Sequence, residues 1–256
     1  MADLTAFRHS GGIQGRDAMQ NSILRAFLLS SALAAPVSSK ADGWDYTVAP
    51  YIWGPELRSS LDVGPNPPVD GDTSIFNILN SAFLIAGEAR NGRWTIGGEF
   101  NYLNLGDDVR IGPFDTAANW ELEGTMISLA ASYAVYQDDR ARLEMLGGLR
   151  HWDLDLSTTV AGLTARADES WTDPLIGARY RHALNDRWTL TTMGNVGGFD
   201  VGSKFQWEAL AQLSWSWTDT VSVAGGYRHL DVEFQEGREV IDLILTGPYI
   251  AVGFNF

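Results

Sequence analysis

The chain has 256 residues, 45% of them hydrophobic and 20% charged, a composition that fits a barrel as readily as an ordinary globular domain. A formal charge of -14 argues against nucleic acid as a partner. The lack of cysteine beside 27 Gly, 10 Trp, 8 Tyr and 11 Phe suits a strand-rich protein whose folding compartment could oxidise thiols.

Residues 1–18, with Asp3, Arg8, His9, Arg16 and Asp17, fit no targeting pattern and read as a misassigned extension ahead of a true start at Met19. Residues 19–41 read as a secretory signal peptide. Arg25 and the apolar run "AFLLSSALAAPV" precede Ser39-Lys40-Ala41, a small-x-small cleavage form, and the run is too short to cross a bilayer as a helix. Residues 42–256 are then expected to form one outer-membrane barrel domain.

From Trp44 onward the chain alternates with period two. Strands are expected to start near Trp44, Ser81, Arg93, Asn119, Ala141, Ser170, Arg187, Lys204, Val221 and Val240, giving about ten, with eight as the alternative. Tight polar links stand at Asn91-Gly92-Arg93, Gln137-Asp138-Asp139-Arg140, Asn185-Asp186-Arg187 and Thr218-Asp219-Thr220. Between them, residues 62–72, 106–116, 157–169, 199–204 and 235–239 read as longer outer loops, and "TSIFNILN" at 73–80 as a short helix on the outer rim. Short links alternating with long ones predict an all-β, transmembrane, antiparallel up-and-down β-barrel with both termini on the periplasmic side.

The clearest strand is 205–217. Phe205, Trp207, Ala209, Ala211, Leu213, Trp215 and Trp217 share one face, and Gln206, Glu208, Gln212, Ser214 and Ser216 share the other with Leu210. The closing "GPYIAVGFNF" puts Ile250, Val252, Phe254 and Phe256 on one face, an aggregation-prone edge in water but an ordinary lipid-facing stripe in a bilayer. Trp44, Trp94, Tyr133, Tyr180, Trp188, Trp215, Trp217, Phe254 and Phe256 fall at strand ends on the outward parity, as a membrane girdle requires. Glu88, Glu99, Arg150, Asp173, Arg179, Glu208 and Arg228 fall on the inward parity. In a narrow lumen such charges must pair or keep water, and ten strands enclose little more than their own side chains.

Further along the same stretch, "WTDPLIGARYRHAL", "GNVGGFDVGSKFQWEALAQLSW", "GYRHLDVEF" and "GPYIAVGFNF" resemble a family of proteobacterial outer-membrane β-barrel proteins without an assigned activity. The resemblance implies a terminal-phenylalanine signal read by the barrel-assembly machinery. It supplies no catalytic residues.

An internal echo, "GGLRHWDLD" and "GGYRHLDVE", sets His151 two residues before Asp153 and His229 two before Asp231. A His-Asp pair near the outer rim resembles the omptin proteases. A third copy, "GEFNYLNLG", carries Tyr102 and Asn104 at those places, so an amphipathic ring alone satisfies the position. No G-x-S-x-G motif, cysteine nucleophile, zinc-like His cluster or calcium loop is present, and no cofactor or metal is expected. The leading expectation is a non-enzymatic outer-membrane barrel, structural or weakly permeable, with a charge-lined and plugged lumen. Its expected partners are outer-membrane lipid, lipopolysaccharide and the assembly machinery, with a monomer favoured. A rim hydrolase or protease and a surface adhesion module are the alternatives.

Overall fold

The computed structural model describes residues 43–256 apart from 63–68, 75–77, 112–115, 161–162 and 237–238. The expected extension and signal peptide lie outside the described residues. Twelve strands form one sheet: β1 (Asp45–Trp53), β2 (Glu56–Asp62), β3 (Val69–Ser74), β4 (Leu79–Asn91), β5 (Trp94–Ile111), β6 (Thr116–Gln137), β7 (Ala141–Val160), β8 (Leu163–Ala183), β9 (Trp188–Gly198), β10 (Phe205–Ser216), β11 (Val221–Glu236) and β12 (Glu239–Asn255). All neighbours run antiparallel, and β1 pairs with both β4 and β12, so the sheet closes on itself.

Twelve strands make a ten-stave barrel because the first two staves are each broken in the middle. β12 keeps one register along β1 and β2, from Thr47–Asn255 through Trp53–Tyr249 to Glu56–Thr246 and Asp62–Val240. The break at Gly54-Pro55 therefore interrupts one continuous stave. There the chain passes Gly247 so closely that a Cβ on Gly247 would stand 2.4 Å from the Gly54 carbonyl oxygen, which only glycine tolerates. On the other side, the β1–β4 ladder stops at Pro50–Ile85 and β2–β3 pairing resumes at Glu56–Ser74. Between these pairs the first stave advances six residues, 50 to 56, and the second eleven, 85 to 74, so the second stave carries five residues more.

The ten expected strand starts each find a strand. Of the expected long outer loops, 199–204 stands as the link between β9 and β10, and the other four are largely replaced by strand. Residues 62–72 contain the end of β2 and most of β3, and most of 106–116, 157–169 and 235–239 is strand. β6, β7 and β8 run 22, 20 and 21 residues, about twice what a tilted strand needs to cross a bilayer. The polar stretches that suggested loops lie on ladders that continue beyond an apolar band. Of the expected helix at 73–80, Thr73 and Ser74 end β3 and Leu79 and Asn80 begin β4, while 75–77 lie outside the described residues.

The short links sit at one end and share a device. The side-chain oxygen of Asp138 accepts the backbone N–H groups of Arg140 and Ala141 at 2.8 and 2.6 Å. Asn185 does the same for Arg187 and Trp188, and Thr218 for Thr220 and Val221. The β4–β5 link instead places Gly92 at φ +54°.

Candidate functional site

Strand parity sends charges inward, and two ionic clusters bridge the lumen. Nearer the short links, Glu88 on β4 pairs with Arg179 and Arg181 on β8. Glu144 on β7 has a fully buried carboxylate. It accepts from Arg179 Nε at 2.7 Å, Arg142 Nε at 3.0 Å and the Thr95 hydroxyl at 2.7 Å. Farther from the links, Arg228 on β11 places Nη1 and Nη2 2.5 and 3.1 Å from the two oxygens of Glu99 on β5, and its Nε lies 2.8 Å from Glu208 Oε1. Glu208 also pairs with Arg150 on β7 and accepts from Asn195 Nδ2 at 2.9 Å. Arg150 continues to Gln206 Oε1 at 2.9 Å, and Gln206 donates to Asp173 at 2.6 Å.

All seven charges expected inward stand in these clusters: Glu88, Glu99, Arg150, Asp173, Arg179, Glu208 and Arg228. Sequence reasoning missed Arg142, Glu144 and Arg181, although parity held the signal: they lie an even number of residues from Arg150 and Arg179 on the same strands. Together the carboxylates Glu88, Glu99, Glu144, Asp173 and Glu208 equal in number the guanidiniums Arg142, Arg150, Arg179, Arg181 and Arg228. A balanced, hydrogen-bonded set tolerates a narrow lumen where an unmatched charge would be costly. Asp173 has a further task. It accepts the Ser203 backbone N–H at 2.7 Å and hydroxyl at 2.8 Å, and so pins the β9–β10 link inside the barrel mouth.

The expected girdle residues all lie at the short-link end of the strands. Trp94 faces Tyr133 across the β5–β6 ladder with ring centres 5.1 Å apart, and Trp188 faces Trp215 across β9–β10 at 6.3 Å. Trp215 stacks on Trp217, and Trp44 on Tyr46. Tyr180 stacks on His182. Phe254 pairs with Val48 and Val221, and Phe256 exchanges backbone hydrogen bonds with Tyr46. A second ring of amphipathic side chains stands eight residues along the strands, with Tyr102 above Trp94 and Trp207 above Trp215, which is ~26 Å of strand. Between the two, Ile96, Leu129, Leu149, Ile176 and Leu213 are exposed on the outer face.

The His-Asp copies belong to that second ring. His151 Nδ1 is 2.9 Å from the Thr172 hydroxyl and His229 Nδ1 2.5 Å from the Thr246 hydroxyl, each threonine being the ladder partner on the next strand. Tyr102, at the third copy, also has a threonine partner, Thr125. Asp231 accepts from Trp207 Nε1 at 3.1 Å, and the Trp207 ring lies 4.3 Å from that of His229. Neither histidine is hydrogen-bonded to its Asp, and the two copies stand four staves apart, so the structure does not bring them into one site. Among the described residues, no group of three or more His, Asp or Glu is placed to hold a metal ion.

No family model and no curated protein matches the chain. Among solved structures, the outer-membrane protease OmpT from Escherichia coli is 10% identical, aligning 87% of this chain with 99% of its own at a TM-score of 0.51. The translocator domain of the autotransporter NalP from Neisseria meningitidis is 14% identical, over 94% of this chain and 98% of its own, at a TM-score of 0.49. The attachment invasion locus protein Ail of Yersinia pestis is 8% identical, over 84% and 99%, at 0.38. At such identities a likeness speaks to fold alone. With the closed ladder and the apolar outer face, the likeness to OmpT gives this chain the fold of an outer-membrane β-barrel.

Proposed function

We propose that this chain is a resident, non-enzymatic protein of the bacterial outer membrane whose lumen is closed to ions and solutes by an electroneutral plug. The observation that carries this reading is the chain of contacts Glu99–Arg228–Glu208–Arg150, which joins β5, β11, β10 and β7 across the lumen with every charge answered. The outward aromatic rings support seating in lipid and lipopolysaccharide, and the terminal Phe256 supports recognition by the barrel-assembly machinery. Closure through β1, β4 and β12 leaves no open edge along the apolar band, which favours a monomer.

Planar-bilayer recording of the purified barrel tests the plug. Wild type is expected to be silent. Arg228→Ala leaves Glu99 and Glu208 without their shared cation and is expected to give a small, cation-selective conductance. Steady openings of the wild-type barrel would sink the reading.

A further inference from the structure

The barrel wall does not end level on the side away from the short links. β8 has a strand on both sides only from Leu175 to Ala183, between β7 and β9. Next to that stretch the β9–β10 link, fastened to Asp173, covers Thr172, whose carbonyl oxygen would stand 2.9 Å from a Cβ on Gly202. Farther out, residues 163–170 pair with β7 on one side, and among the described residues no strand takes the other. Thr172 faces His151 of the second amphipathic ring, so this edge stands outside the apolar band.

The ladder fixes which backbone groups face the open side. Ala183 donates its N–H to Arg140 beside β7, and Leu184 donates to Trp188 beside β9. Antiparallel strands alternate the two directions, and the β7–β8 register runs unbroken from Ala141–His182 to Val160–Leu163. Odd-numbered residues of β8 therefore bond to β7, while Thr164, Arg166, Asp168 and Ser170 turn their backbone N–H and C=O groups outward from the sheet edge. No proline or bulge blunts this edge, and its residues other than Glu169 are exposed. Such an edge is a template for another strand.

The charges on the edge select which strand. Arg166 and Asp168 share the outward face, on the parity opposite to Asp173. Asp168 lies across the ladder from Asp155 of β7, a like-charge pair that a further cation would relieve. When a second copy of 163–170 runs antiparallel with Ala167 opposite Ala167, each Arg166 meets the other copy's Asp168 and each Thr164 the other copy's Ser170. These are the residues with outward backbone groups, so every such pair exchanges two N–H···O bonds. Centring the pairing on Arg166 or on Asp168 instead sets like charges against each other.

We propose that residues 163–170 join the same segment of a second copy held in a facing membrane, which makes this chain a homotypic contact between two outer membranes. The facing membrane follows from strand direction. Two barrels in one membrane share an up direction, and strands tilted about 45° then cross at no more than about 90°. Antiparallel pairing needs the second barrel inverted, and each copy stays a monomer in its own bilayer. Ala167 lies five residues beyond Thr172, about 17 Å of strand, so the contact brings the two second rings within about 35 Å. One such pair is weak, and many between two surfaces add up. This goes beyond closure of the lumen and uses none of its residues, so either can fail alone.

The test reconstitutes the full-length protein into liposomes free of lipopolysaccharide and follows vesicle clustering by light scattering. Wild-type vesicles are expected to cluster, and Arg166→Asp vesicles and Asp168→Arg vesicles each to stay dispersed. Mixing the two variants restores opposite charges at every pair and is expected to bring clustering back. Ser170→Pro removes only an N–H that faces the open side, so it is expected to abolish clustering with heat-modifiable gel mobility unchanged. In a chain without cysteine, Ala167→Cys sets two thiols opposite each other at a spacing a disulfide spans. It is expected to link differently tagged copies from separate vesicles, and Thr164→Cys is not. Dispersed wild-type vesicles, clustering by either charge variant alone, a mixture of assembled variants that stays dispersed, or disulfides confined to copies in one vesicle would each overturn the proposal.

Discussion

Glu144 shows what a single residue carries here. Its carboxylate is out of reach of water and is held by two arginines and a threonine hydroxyl. Removing it leaves Arg142 with no carboxylate and Arg179 with Glu88 alone, so Glu144→Ala is expected to cost about 3 kcal/mol, read as a lower urea midpoint for loss of the heat-modifiable form. The histidines of the repeated motif are the opposite case. Each bonds to a threonine on the neighbouring strand, and tyrosine serves at the third copy. Replacing both His151 and His229 by Tyr is expected to leave assembly, lipid A composition and peptide cleavage by cells unchanged. A wild-type activity lost in a normally assembled double variant would make the outer rim an active site, because the phenol cannot accept a proton near neutral pH.

At the scale of the element, the short links are testable one by one. Asn185→Ala removes an acceptor for two backbone N–H groups and is expected to cost about 1 kcal/mol, by analogy with a lost helix cap. Asp138 is the titratable version of the same device and lies outside the membrane-spanning strands. The Tyr136 hydroxyl, and then the N–H groups of Arg140 and Ala141, hold its carboxyl below the usual aspartate value. A carboxylate whose folded pKa is depressed adds stability above its ordinary pKa and loses it as pH falls through the lowered value. Asp138→Asn is therefore expected to flatten the acid side of the stability profile measured by urea titration, while Asp138→Ala lowers stability at neutral pH as well.

Strands were legible wherever one face meets lipid and the other meets charge, as in β10, where Leu213 and Glu208 leave no choice of register. Legibility ended where both faces share a polarity. Above the apolar band, Asp153, Asp155 and Asp168 stand on outward positions of β7 and β8, so ladder and loop look alike in sequence. The break in the first two staves was hidden for a related reason, since Gly54-Pro55 and the acidic stretch after it carry every mark of a turn.

For the molecule as a whole, the last residue matters through closure. Phe256 and Tyr46 exchange N–H···O bonds at 2.9 and 3.3 Å, and the Thr47 hydroxyl reaches Asn255 at 2.9 Å. Deleting Phe256 removes one end of this seam together with its outward ring, and is expected to lower the heat-modifiable fraction recovered from outer-membrane preparations. Undiminished recovery would detach the terminal residue from assembly.

The same seam sets the order of events in time. Along most of the wall, neighbouring staves are also neighbours in sequence and zip from a link of a few residues, whereas Thr47 and Asn255 are 208 positions apart. Bringing such distant ends together costs ~3 kcal/mol more chain entropy than closing a short hairpin, so a free chain would form this pairing last and most slowly. Until it does, a nearly complete sheet has two open edges, each a template for a wrong partner. The seventeen-residue β12 must then find both halves of the broken first stave in one register, with Gly54-Pro55 as the joint between them. The rate-limiting step is thereby placed at ring closure, and the final strand becomes the point at which a helper protein shortens the search most.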